Sequence, residues 1–159
     1  MPNQVDANEL VRPLRVMPPV YLLAAIIGMV ALHKYLPGAI LIDSPLRWLG
    51  FVPLVGGLAL GGSAVRLFHK YKTTIKPGDT STHMMTDEPY RFTRNPIYLG
   101  MVALLIGIAL MLGSLTPWLV VPAFVWVINR NIIPVEEAMM AAAFGAEYQH
   151  YRARVRRWL

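Results

Sequence analysis

The chain contains no cysteine. That excludes disulfides, thiolate nucleophiles and cysteine-based metal sites, and it leaves the compartment open. The four histidines, His33, His69, His83 and His150, show no metal-ligand spacing, so no metal is expected. Charge is scarce as well: charged residues make up 15% of the chain, against about 25% in an ordinary soluble domain. No internal repeat and no low-complexity segment interrupts the 159 residues. The apolar runs carry no Asp, Glu, Lys or Arg in their middles. Proton- and ion-coupled transporters need such groups near the midplane, which argues against a channel or pump.

What the chain has instead is long apolar runs, with a hydrophobic content of 55% and a mean hydropathy of +0.45. Residues 1–16 are polar and carry Arg12 and Arg15, which reads as an arm or an interfacial helix. A first span covers Val16 to Leu32, extended by Lys34 and Tyr35 snorkelling to the interface, and Pro37-Gly38 ends it. Ser44-Pro45 is a cap-then-proline signature that starts a second span, with an uncharged core from Trp48 to Val65. Gly57-x-x-x-Gly61 on that span lets a neighbouring helix approach closely, either inside one bundle or across a dimer interface.

From Asn95 to Asn129 nothing is charged. A single helix of that length would run about 50 Å, well past a hydrocarbon core of roughly 30 Å, so the stretch must fold back. Gly113-Ser114-Leu115-Thr116-Pro117 supplies the turn, with Thr116 as cap and Pro117 as first helical residue. Pro134 restarts the helix beyond Arg130, Phe144-Gly145 breaks it, and a last amphipathic helix lies in the interface. That helix has Tyr148, Tyr151, Val155 and Trp158 on one side and Glu147, Arg154 and Arg157 on the other.

The expected fold is therefore an all-α integral membrane protein. About four transmembrane helices are followed by a C-terminal interfacial amphipathic helix, in one domain over residues 1–159. Residues 1–72 hold spans one and two, and residues 73–159 hold a loop, the helical hairpin and the C-terminal helices. The net charge of +6 flanks apolar runs, so it suits an anionic membrane face better than nucleic acid. Only Lys34 and Arg47 fall on one side of a four-span topology; all other basic residues fall on the other. Positive-inside then places both termini and the 66–94 loop in the cytoplasm, which for a bacterial-type chain means the inner membrane.

Polar residues able to do chemistry collect at that cytoplasmic rim: Tyr90, Arg91, Arg94, Asn95, Tyr98, Arg130, Glu136 and Glu137. Asn95 reads as an N-cap and Pro96 as the first helical residue, so the free N–H groups and positive dipole end of span three face the 66–94 loop. Taken singly, these residues also suit plain duties: positive-inside charges, interfacial tyrosines, first-turn acids. The hairpin brings the Asn95–Tyr98 corner opposite the Arg130–Glu137 stretch, which those duties do not account for.

At this corner the sequence resembles a known superfamily. Pro89-Tyr90-Arg91-x-x-Arg94-Asn95-Pro96-x-Tyr98-x-Gly100 is followed by Glu136-Glu137 and Phe144-Gly145-x-x-Tyr148-x-x-Tyr151, then Val155-Arg156-Arg157-Trp158. This is similar to the isoprenylcysteine carboxyl methyltransferase and phospholipid methyltransferase superfamily in its short bacterial form, over roughly Thr73 to Leu159. The resemblance implies an S-adenosylmethionine-dependent membrane methyltransferase. It places the cofactor at Thr82, His83, Met84, Met85, Tyr90, Asn95, Pro96, Ile97, Tyr98 and Glu136, with Arg130 near a substrate-contacting arginine. Asn95 stands where most prenylcysteine enzymes have His, and Glu88 where Gly is usual, so the acceptor stays open.

The residues suit that cofactor on physical grounds. A helix start accommodates its carboxylate. Glu136 suits its ammonium or ribose diol through charge-assisted hydrogen bonds, and tyrosines suit the adenine or the sulfonium. No catalytic base is evident, and a carboxylate or thiolate acceptor would need none. A lipophilic acceptor would come from the bilayer and the cofactor from the cytoplasm. Two other readings stand beside this one: a non-enzymatic membrane scaffold or assembly module, and an NADPH-binding relative of the sterol reductases.

Overall fold

A computed structural model describes residues 17–71 and 84–159, with Phe68 and His69 described by backbone alone. The N-terminal arm, Thr82 and His83 thus lie outside the described residues. Helix α1 spans Pro18–Tyr35. A 3₁₀ turn, Leu46–Gly50, runs into α2, Phe51–Lys70. Helix α3 spans Pro96–Leu112, and a second 3₁₀ turn, Thr116–Leu119, leads into α4, Val120–Asn131. Helix α5, Ile133–Arg154, follows after a single-residue break at Ile132. Among the described residues the only extended pairing is an isolated bridge between Ile40 and Ser114.

Among the described residues, three helical stretches are long and apolar enough to cross a membrane: Pro18–Tyr35, Leu46–Leu67 and Thr116–Arg154. Helix α3 is apolar but shorter, at 17 residues. The fold is that of an all-α membrane protein. Large apolar side chains point outward all round it, among them Leu23 and Ile27 on α1, Val55 and Leu58 on α2 and Trp126 on α4. In water that surface would be a liability; against lipid tails it is the ordinary exterior.

The short helix is the central one. Helix α2 lies antiparallel against it, and glycines bring their backbones into direct contact. A Cβ on Gly100 would lie 2.6 Å from the Gly57 carbonyl oxygen, and one on Gly107 would lie 2.6 Å from that of Gly50. Without a hydrophobic drive between helices in lipid, such close approach is how packing energy is gained. Gly57 therefore packs inside the bundle. The other face of α3 supplies Tyr98, Leu105 and Ala109 to a core completed by Met29, Phe124, Ile128, Ile132 and Ile133.

At one end of the bundle, residues 36–45 close over the α3–α4 turn. The Leu41 and Ile42 amides donate to the Gly113 carbonyl at 2.8 and 3.1 Å, and His33 Nδ1 lies 2.7 Å from Ser114 Oγ. Arg47 Nε donates to the Ile42 carbonyl at this same end. The opposite end gathers the start of α3, the α4–α5 junction and the end of the chain. The hairpin thus forms where its turn residues and length require.

Four local expectations are corrected. Asn95 precedes α3 but does not cap it: its side-chain amide donates to the Arg157 carbonyl at 2.9 Å. Thr116 likewise makes no cap; its hydroxyl donates to the Leu36 carbonyl at 2.6 Å. The second helical stretch begins at Leu46, beside Pro45 as expected, but with no side-chain cap from Ser44. The last helix ends at Arg154, Val155 is extended, and Trp158 packs against the main core instead of extending an interfacial face. The break at Phe144-Gly145 is present as a kink inside α5. Gly145 sits at φ 50° and ψ −121°, a conformation only glycine adopts cheaply.

Candidate functional site

The α4–α5 junction points the second half of the hairpin back at its own start. Pro134 lies in the first turn of α5, where its missing N–H costs nothing, and Glu136 follows in the same turn. Consecutive residues on a helix project about 100° apart. Glu136 and Glu137 therefore face different partners.

Glu136 faces α3: the Tyr98 hydroxyl donates to its Oε1 at 2.7 Å, across 38 residues of sequence. Tyr98 is only 5% exposed. A carboxylate set among apolar helices is costly unless bonded, and the tyrosine supplies that bond. Tyr90 is buried next to this pair. Burial first, and then the Glu136 charge, raise the Tyr90 hydroxyl above the usual phenol value, so it stays neutral at physiological pH. Met85, Tyr90 and Ala64 form a small cluster, with Ile97, Leu67 and Tyr71 packed against it. The Tyr71 hydroxyl donates to the Asp87 carboxylate, tying the end of α2 to this turn.

Glu137 faces the other way. Arg157 grips it with two hydrogen bonds, Nε to Oε1 at 3.1 Å and Nη2 to Oε2 at 2.6 Å. That fork is what raises the Arg157 pKa above its ordinary value. Arg94 Nη2 lies 3.4 Å from the same carboxylate. Helix α5 then returns past its kink: Tyr148 and Tyr151 pack on Met84, and the Tyr151 hydroxyl donates to the Tyr90 carbonyl at 2.7 Å. Beside this contact opens a cleft of about 600 Å³, lined by Met84, Arg91, Glu147, His150, Tyr151 and Arg154. Neither Tyr98 nor Glu136 lines it.

The residues singled out from sequence fall into three groups. Tyr98 and Glu136 meet directly, with Tyr90, Met85 and Ile97 clustered close by. Pro96 and Asn95 are buried at the same corner, but the Asn95 amide is committed to Arg157, and Met84 belongs to the Tyr148–Tyr151 cluster. Arg130 is exposed on the last turn of α4 and makes no hydrogen bond to this corner among the described residues. Sequence reasoning missed the Glu137–Arg157–Arg94 network. Its signal was available: two adjacent acids on one helix turn need two separate sets of partners.

The family model for phospholipid methyltransferases matches residues 46–147, well over half of the chain. An uncharacterized protein of Haemophilus influenzae is 41% identical over 63 residues, which is 40% of this chain and all of that protein. Protein-S-isoprenylcysteine O-methyltransferase of Schizosaccharomyces pombe is 27% identical over 108 residues, 61% of this chain and 46% of the enzyme. This chain therefore spans under half the length of that enzyme. No solved structure matches. With the matched segment running from the start of the second span through the kink of α5, the chain belongs to the phospholipid methyltransferase family.

Proposed function

We propose that this membrane methyltransferase takes its methyl group from S-adenosylmethionine and passes it to a lipophilic acceptor. One observation carries the reading: the Tyr98–Glu136 hydrogen bond, buried at the rim where a short central helix begins. A carboxylate accepts more than one hydrogen bond, so Glu136 retains capacity for the ammonium or ribose hydroxyls of the donor. The first N–H groups of α3 have no intrahelical partners and suit its carboxylate. Tyr90, Met85 and Ile97 offer the apolar and aromatic surface that adenine requires. Thr82, His83 and Met84 stand as further candidate contacts, and Pro96 shapes the helix start. Asn95 acts here by holding the corner together, and Arg130 by meeting the acceptor.

When bound, S-adenosylmethionine supplies a methyl carbon already activated by its sulfonium. The chain's task is then alignment, which contributes up to roughly 7–11 kcal/mol in well-oriented reactions. Tyr98 holds the Glu136 carboxylate in one orientation, and the packed helices exclude water from it. An acceptor with an apolar tail reaches the rim from the bilayer. The basic residues Arg152, Arg154, Arg156 and Arg157 at this end of the bundle, with Lys34 and Arg47 toward the other, support a cytoplasmic side for the donor site by the positive-inside rule.

The test is incubation of purified protein with a membrane lipid extract and S-adenosylmethionine carrying an isotopically labelled methyl. Mass spectrometry should find a lipophilic species that has gained the label. Absence of any labelled species across extracts of varied composition, with the donor bound, would remove the acceptor class. Absence of donor binding would remove the reading altogether.

A further inference from the structure

The last residues of the chain do more than follow α5. The Arg94 amide donates to the Arg156 carbonyl at 2.9 Å, and the Asn95 side-chain amide and the Thr93 hydroxyl both donate to the Arg157 carbonyl, at 2.9 and 3.2 Å. The Thr93 hydroxyl also accepts from the Asn95 backbone N–H at 3.2 Å, so the turn entering α3 is itself tied to this contact. The Arg157 guanidinium forks onto Glu137, the neighbour of Glu136 at the start of α5. The Trp158 indole donates to Asn129 Oδ1 at 3.2 Å, near the end of α4. Three consecutive residues thus grip the start of α3, the end of α4 and the start of α5.

We infer that Arg156–Trp158 is a latch that positions the Tyr98–Glu136 pair, and that Arg157, Glu137 and Asn95 are positioning residues for the donor site. This rests on the donor reading proposed above. Its physical basis is that Tyr98 and Glu136 sit on different helices, joined in sequence only through the far end of the hairpin. Packing fixes the helices laterally, while their ends at the rim are free to fray. Polar cross-links at the rim hold the ends in register. The forked Arg157–Glu137 pair is only partly exposed, at 35% and 13%, so solvent screens it less than a surface pair. None of the three residues need touch the donor for its affinity to depend on them.

The experiment uses the full chain in detergent and S-adenosylhomocysteine as the calorimetric probe. Arg157→Ala should weaken binding by roughly tenfold or more, the effect of losing charged hydrogen bonds. Arg157→Lys, which keeps the charge but not the fork, should fall between wild type and Arg157→Ala. Hydrogen exchange gives a readout independent of any ligand. In Arg157→Ala, amides of residues 93–98 and 133–137 should lose protection, while those of residues 101–110 in the middle of α3 keep theirs. If Arg157→Ala does not yield folded protein, Trp158→Phe, which removes one indole hydrogen bond, should show the same pattern in weaker form. Wild-type binding with unchanged affinity and unchanged rim protection in the variants overturns the latch. Wild-type protein that binds no probe, with rim protection still lost in Arg157→Ala, overturns the donor reading and leaves the latch as a purely structural device.

Discussion

Gly100→Ala is a one-carbon change whose consequence can be worked out from the helix contact. The added Cβ would lie 2.6 Å from the Gly57 carbonyl oxygen, 3.0 Å from the Gly61 amide nitrogen and 3.3 Å from the Gly61 Cα. These neighbours are backbone, so no side chain can rotate away. Ordinary contact begins near 3.4 Å, and α2 and α3 must part by about 0.8 Å to reach it. Overpacking of this kind costs about 1–3 kcal/mol. Tyr98 sits two residues earlier on the same helix, on the face turned away from α2, so parting the helices displaces it relative to Glu136 and disturbs their 2.7 Å bond. The assay is thermal unfolding in detergent, paired with S-adenosylhomocysteine affinity. The controls are Gly56→Ala and Gly62→Ala on α2, whose added carbons would meet nothing within 4 Å. Those two should be neutral, or stabilising by about 0.5–1 kcal/mol through helix propensity. A Gly100→Ala protein as stable as either control would refute the backbone contact between α2 and α3.

Three further outcomes follow from the same structure. Tyr98→Phe keeps the ring but leaves the Glu136 carboxylate without its hydroxyl partner, at a cost of about 1–3 kcal/mol, visible as a lower melting temperature. Asn95→Asp distinguishes a latch from a cap. Asp caps helices as well as Asn does but cannot donate to the Arg157 carbonyl, so the variant should be destabilised by about 1 kcal/mol or more, where a capping role predicts no loss. Because the chain has no cysteine, single cysteines report topology directly. In sealed inverted vesicles an impermeant maleimide should label Arg152→Cys and leave Asp43→Cys untouched; the reverse pattern would invert the orientation.

Much of the fold was legible because bilayer thickness limits helix length. The uncharged stretch from Asn95 to Asn129 had to fold back, and Gly113 through Pro117 was the one place with the right turn chemistry. The meeting of Tyr98 with Glu136 followed from that hairpin alone. What stayed hidden was decided by competition over long sequence distances. Asn95 next to proline fits a cap by local rules, but a carbonyl 62 residues away takes its amide. The spacing of Tyr148, Tyr151, Val155 and Trp158 fits a continuing helix, yet the tail leaves helical geometry after Arg154 and the indole finds Asn129. Glu137 looked like a dipole charge because its partner lies 20 residues on, beyond a glycine kink whose direction no periodicity encodes.

The most direct measurement is calorimetric titration of S-adenosylmethionine into wild-type protein and into Glu136→Ala. Wild type should bind, and Glu136→Ala should lose binding while its helix content and melting cooperativity persist. Equal affinity in the two proteins would contradict the assignment of the Tyr98–Glu136 corner as the donor site.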